Sequence, residues 1–200
     1  MSGYRNFYPC IICRTRTLRQ EYAAQHKGDK PQYEVTLLLN TLYLTSVLFV
    51  SDYWDEHGKV PDDKPFKNLK FTKAGEWLKD HPDNITVEND ELRDKFREDP
   101  ASIIPHFRHV FAHFNIKTTS KEEIIDTIEL ASYYNGNQKC TFKFSSNHLR
   151  DFVTCIENEV IEQLPKLLEE LDKNAPEQAF SCVGCPLIGT LGVKEWEQED

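Results

Sequence analysis

Residues 105–115 read Pro-His-Phe-Arg-His-Val-Phe-Ala-His-Phe-Asn, placing one arginine, three histidines and three phenylalanines in eleven residues. Histidine titrates near neutral pH and can take or give a proton in a reaction. Arginine keeps its charge, and its planar fork of donors matches phosphate oxygens. On a helix advancing about 100° per residue, Ile103, Phe107, Val110, Phe111 and Phe114 gather on one face and should enter a core. The opposite face presents Arg108 on one flank, His109 and His113 on the other, and the small Ala112 between them. Such a face could move protons beside a bound phosphate, or meet a second copy of itself.

The supporting chain is one domain's worth of sequence. Its 200 residues, 39% hydrophobic and 28% charged, suffice to bury a core. A formal charge of −9 argues against nucleic-acid binding by general electrostatics, so any such contact has to be local. The N-terminus lacks the basic and apolar runs of a secretory signal. Residues 35–50 carry no charge but are short of the roughly 20 residues of a membrane span and include Thr36, Asn40, Thr41, Thr45 and Ser46. They predict a buried helix and a cytoplasmic protein.

Taken in order, residues 4–25 predict a first helix bearing Arg14, Arg16 and Arg19, either a solvated face or a phosphate-backbone contact. Gly28 and Pro31 break it, and a second helix is expected over 33–54, with Glu34 at its positive end. Glu34 could equally orient a histidine or an arginine. Residues 55–84 predict an irregular insertion with a short helix near 72–79 anchoring Trp77. A charged helix over 90–98 follows, then Asp99-Pro100 signals a new start. Pro105 is best placed in the first turn of a helix that begins near Ser102. Asn135-Gly136, flanked by β-branched and aromatic runs, predicts a hairpin of two strands over 122–134 and 138–144. Ser145-Ser146 can cap a last helix carrying Leu149, Phe152, Val153, Ile156, Val160 and Leu164, which Pro165 should kink or restart.

Six cysteines in a cytoplasmic chain point to reduced thiols. Cys10-x-x-Cys13 and Cys182-x-x-Cys185 could complete a four-thiolate zinc site if the two ends meet, the other reading being buried free thiols. His109 and His113, four apart, could also share a zinc. His106 could not join them, because a helix carries it about 10 Å from His113.

Arg108-His109-Val110-Phe111-Ala112-His113 resembles the R-x4-6-H signature of the HEPN superfamily, the higher eukaryotes and prokaryotes nucleotide-binding domains. The setting strengthens the resemblance: Arg14-Thr15 to Leu18, then residues 33–40, then 105–116, a hairpin and a final helix are similar to a compact bacterial HEPN branch known from plasmids. It covers roughly residues 5–165. It implies a mainly α fold, a helical bundle with a β-hairpin before the last helix. Residues 1–173 would form a single domain, and 174–200 an extension with a C-x-x-C pair and an acidic end.

The resemblance also implies a homodimer that joins two motifs in a metal-independent endoribonuclease needing no cofactor. Arg108 and His113 match its two defining positions. His109 matches the variable polar one, where asparagine or aspartate is more usual. Cleavage of RNA by its own 2′-hydroxyl needs a base, an acid for the leaving 5′-oxygen and a cation for the pentavalent phosphorane. His113 suits proton transfer and Arg108 charge stabilisation, with His109 assisting. A 2′,3′-cyclic phosphate is the expected product, and DNA, lacking the 2′-hydroxyl, would be spared. Arg14, Glu34 and Asn115 are candidate substrate contacts. The biological setting would be a toxin or anti-phage defence, with RNA as substrate, an antitoxin or regulatory protein as a further partner, and no membrane. The competing readings are an inactive dimerisation module and a toxin silenced by its partner.

Overall fold

Several helices start at a local cap, and the motif helix and the last helix bury their apolar faces against a small sheet. The structure, a computed structural model, describes residues 7–26, 34–48, 69–121 and 124–174. Residues 49–54 of the expected second helix, residues 55–68 of the expected insertion, and the C-terminal extension with Cys182 and Cys185 lie outside the described residues, as does the side chain of Cys10.

Helix α1 spans Phe7–Gln25. Helix α2, Glu34–Tyr43, buries Val35, Leu38 and Leu42 at three- and four-residue spacing and runs on as a π-helical turn over Leu44–Leu48. Its polar residues are satisfied internally, which is how a threonine-bearing helix can lie in a core. Thr41 donates to the Leu37 carbonyl at 2.9 Å and Thr45 to that of Thr41 at 2.8 Å. No helix among the described residues is long and apolar enough to cross a membrane.

Of the expected insertion, residues 69–84 are described, and they contribute Leu69, Phe71, Ala74 and Leu78 to the core. Helix α3, Thr72–Asp80, has no cap from its own Phe71. Glu159 of the last helix supplies one, accepting the Lys73 and Ala74 N–H groups at 2.8 and 2.9 Å. Trp77 on α3 stacks on His81 at 3.9 Å between ring centroids and meets Phe152 at 5.4 Å, the anchoring expected of it.

Strand β1 is Ile85–Val87. Helix α4, Asp90–Glu98, is capped by Asn89, with acids in its first turn and bases in its last, as the helix dipole favours. Asp99 then accepts the Ala101 N–H at 3.2 Å and opens a 3-10 turn over Pro100–Ile103. This turn corrects the expected helix start near Ser102. Helix α5 occupies only His106–Ala112, with Pro105 at its N-cap in a helical conformation. The proline ring ends one short element and begins the next, because it can offer no N–H to a continuous helix.

Strands β2 (Ile116–Lys121), β3 (Ile124–Tyr134) and β4 (Asn137–Ser145) complete a four-stranded antiparallel sheet in the order β1-β4-β3-β2. The expected two-strand hairpin is its centre. Asn135 and Gly136, at φ 51° and 76°, form the tight turn their types predict. The last helix, α6, runs over Ser146–Asn174 and passes Pro165 without restarting. Ser145 caps it by accepting the His148 N–H at 3.2 Å. Leu149, Phe152, Val153, Ile156, Val160 and Leu164 of α6 are all fully buried. Phe107 of α5 stacks on Phe142 of β4 at 3.9 Å, and Phe152 stacks on Phe144 at 5.4 Å. The core therefore lies between the β3–β4 face, α5 and α6. The fold is mainly helical, with more sheet than the sequence pattern declares.

Candidate active site around helix α5

Three devices hold α5. Phe107 and Val110, fully buried, fix its inner face. At its start the His106 ring lies 2.9 Å from the Ser132 hydroxyl through Nδ1. At its end the chain closes in a Schellman turn: the Asn115 N–H donates to the Val110 carbonyl at 3.0 Å and the Phe114 N–H to that of Phe111 at 3.3 Å. The Asn115 carbonyl then accepts the Ala131 N–H at 3.1 Å, fastening the turn to β3.

This turn revises the expected helix face. Phe114 lies beyond α5 at φ 52°, and 81% of its surface is exposed, so it does not join Ile103, Phe107 and Val110 in the core. A left-handed backbone costs a bulky residue on the order of 1 kcal/mol, and glycine is the usual occupant. Phe111 is half-buried, with Tyr43 edge-on to it at 5.5 Å.

Arg108 is half-buried, and His113, at the C-cap of α5, is exposed. Among the described residues neither side chain makes a hydrogen bond or ion pair with another side chain. His109 feels both of them. Burial, then the Arg108 charge, then His113 push its imidazole below the usual histidine range, so it is neutral at neutral pH. His106 is depressed further, to about 4, first by burial and then by His109, Lys139 and Lys95. Arg108 gives the face a fixed positive charge on a chain of net charge −9.

Several neighbours carry no sequence signal of their own. Tyr134, 58% exposed, stands edge-on to His109 at 6.4 Å, with the Lys139 ammonium 5.8 Å from its ring centroid. Ser132, opposite Cys140 in the sheet register, is buried between His106 and that thiol. Burial pushes the Cys140 thiol up, so it is an inert filler rather than a nucleophile. The hairpin turn could have located these residues, since it pairs Tyr134 with Asn137 and so sets which β3 side chains lie beneath α5.

A family model described as HEPN pEK499 p136 matches residues 1–167. The chain belongs to that family. No curated protein and no solved structure matches it. Membership in this plasmid-associated HEPN family points to a nuclease or nucleotide-binding role.

Arg108, His109 and His113, the residues expected to form the motif, lie together on α5 and its cap. The other candidates are dispersed. Glu34 is engaged elsewhere: its carboxylate takes the Arg150 guanidinium in a two-pronged pair, through Nε and, at 2.7 Å, through the second guanidinium nitrogen. Arg14 is exposed on α1, which packs against α2 and α6. Its neighbour Arg19 is withdrawn from the basic patch by an ion pair with the fully buried Glu157. Asn115 sits next to the motif but serves it through its backbone. Cys13 is buried. Among the described residues no group of three or more His, Cys, Asp or Glu is arranged to hold a metal.

Proposed function

We propose that this HEPN chain is a metal-independent endoribonuclease that cleaves RNA through attack by the 2′-hydroxyl, with Arg108 and His113 as its working pair. One observation carries the reading: both residues of the R-x4-H motif come from one short helix and its cap, free of ion partners among the described residues, while the intervening Val110 is turned into the core. Four residues lie between them, a rise of about 7.5 Å along the axis. That leaves room for a phosphodiester to be held by the guanidinium while the imidazole handles a proton at the 2′- or 5′-oxygen.

His109 supports the pair as a neutral imidazole, able to offer one donor and one acceptor. Its depressed basicity makes it a poor permanent cation and a usable hydrogen-bond partner for a phosphate or a ribose hydroxyl. The cleavage needs both a base and an acid, and two α5 faces joined across a symmetric homodimer would provide one from each chain. A bundle of the HEPN type presenting this helix would suit that pairing. The setting proposed is a toxin or anti-phage defence, in which an antitoxin or regulatory protein restrains the activity.

The test is cleavage of RNA by the purified chain in EDTA. The product should end in a 2′,3′-cyclic phosphate, and the matching DNA should remain intact. His113→Ala should lower the rate by about 10²–10⁴-fold, the usual worth of a general acid or base, and Arg108→Ala by a comparable factor. Activity only on added metal would overturn the reading in favour of a histidine-bound ion. Intact RNA from a stable dimer would favour an interaction module.

A further inference from the structure

We propose that Phe114 is a stacking platform for an unpaired RNA base, placed beside His113 by the turn that ends α5. The inference rests on the ribonuclease reading and names the form of its substrate, a single-stranded segment.

The first ground is that the fold does not account for this residue. Phe114 occupies the left-handed position of the Schellman turn, where glycine is free of strain and phenylalanine is not. Burial supplies no compensation, because 81% of the residue is in contact with solvent. An aromatic ring kept in a strained, exposed position is explained by something that covers it outside the chain.

The second ground is its surroundings. Among the described residues the large apolar side chains with high exposure are Leu18, Tyr43, Phe114 and Tyr134. Of these, Phe114 follows α5 directly, Tyr43 packs on Phe111 and Tyr134 meets His109. Cations accompany these rings: Arg108 beside His109, and Lys139 over Tyr134. Aromatic faces interleaved with cations form the combination that takes single-stranded nucleic acid, the rings stacking on bases and the cations following the phosphates. Bases inside a duplex are already stacked on each other and cannot be taken this way. A nucleotide brings a flat ring together with an anion, which suits rings interleaved with cations.

The third ground is rigidity. His113 and Phe114 are consecutive, and the hydrogen bonds to the Val110 and Phe111 carbonyls fix the backbone around both. A base stacked on Phe114 would therefore bring its own phosphodiester to a set position relative to the His113 imidazole, giving register to the cut.

The experiment measures equilibrium binding by fluorescence anisotropy in a His113→Ala background, which keeps the RNA intact. Two labelled strands are compared, an adenine homopolymer RNA and a strand of equal length with abasic sites. Phe114→Gly should weaken binding of the adenine strand by about tenfold, the order reported by removing one stacking ring, and leave the abasic strand unchanged. Phe114→Trp should keep the preference for bases, and Phe114→Leu, apolar but without a flat face, should lose it. Mass by light scattering and thermal unfolding are followed for each variant, with Phe114→Gly expected to melt no lower than its parent. Equal binding of the two strands by every variant would overturn the proposal. So would a loss of dimer mass in Phe114→Gly that accounts for the weaker binding, since the ring would then be covered by a second copy. The two readings fail separately: a chain that cuts RNA with no role for Phe114 refutes the platform alone. A chain that binds bases through Phe114 yet never cuts refutes the nuclease alone.

Discussion

His106 should make the fold acid-sensitive in a way a single substitution removes. Its ring is packed against Ser132, with His109, Lys139 and Lys95 as the charged groups that oppose its protonation. Burial and those cations hold its pKa at about 4, against 6.5 for a free histidine. Between these values the unfolded chain binds the extra proton and the folded chain does not. Stability is therefore complete above pH 6.5 and is lost as pH falls toward 4. The full difference corresponds to about 3 kcal/mol below pH 4, of which about 2 kcal/mol is lost between pH 7 and pH 5. His106→Gln keeps a polar group within reach of Ser132 and does not titrate. Glu157 and Glu159, whose carboxyls burial pushes up, act in the opposite sense over the acid range, so the informative quantity is the difference between the two proteins. Urea unfolding followed by tryptophan fluorescence at pH 7 and pH 5 should show the wild type losing about 2 kcal/mol more than His106→Gln. Parallel losses in the two proteins would mean that His106 is not held neutral by its packing, and the reasoning would be wrong.

Gly75→Ala should destabilise the fold, because a Cβ there would lie 2.4 Å from the Pro100 carbonyl carbon. Overpacking of about 2–3 kcal/mol less about 1 kcal/mol of helix propensity leaves a net loss of about 1–2 kcal/mol, readable as a lower urea midpoint; an unchanged midpoint would show that α3 and the Pro100 turn separate freely. Glu34→Gln removes one prong of the pair with Arg150 and should cost about 1 kcal/mol in thermal unfolding, discounted because the arginine is partly solvated. The same variant should cut RNA at the wild-type rate, and a large fall in rate with the fold intact would return Glu34 to the active site. Glu159→Gln leaves an amide unable to accept both the Lys73 and Ala74 N–H groups. A loss of about 1–3 kcal/mol and faster hydrogen exchange at the start of α3 are expected.

What the sequence declared depended on how local the physics was. The motif helix, the charged helix α4, the Asn135-Gly136 turn and the caps at Asp99 and Ser145 all rest on neighbouring residues, and all are found. Strand β1 is three residues long, and β2 is exposed at five of its six positions, so neither has an alternation to read. Both exist only because β3 and β4 offer them a partner. Phe114 misled for a related reason: helical periodicity carries it into the core, but the helix stops before reaching it. Pro165 does not restart α6, since burial along the helix outweighs one missing hydrogen bond. For the candidate site, Arg108, His109 and His113 were legible as a spacing. Ser132, Tyr134 and Lys139 were not, because only the strand register puts them beside α5.

That register explains why so short a helix can hold a site. Seven residues form at most two turns and would not persist alone. Adjacent residues of β3 grip both ends of α5: the Ser132 hydroxyl meets His106 at its start, and the Ala131 N–H meets Asn115 beyond its end. A slip of one residue in β3 would break both holds and turn each side chain of the strand to the other face of the sheet. The Asn135-Gly136 turn sets the register, and the irregularity between Ser132 and Tyr133 falls directly beneath the helix. The extra residue there is Lys139 of β4, and Ser132 and Tyr134, two apart on β3, keep one face toward α5, Ser132 buried against His106 and Tyr134 beside His109. The backbone from Arg108 to His113 is thereby held by the sheet as much as by the helix, and β3, the first strand of the hairpin, is what holds it in place.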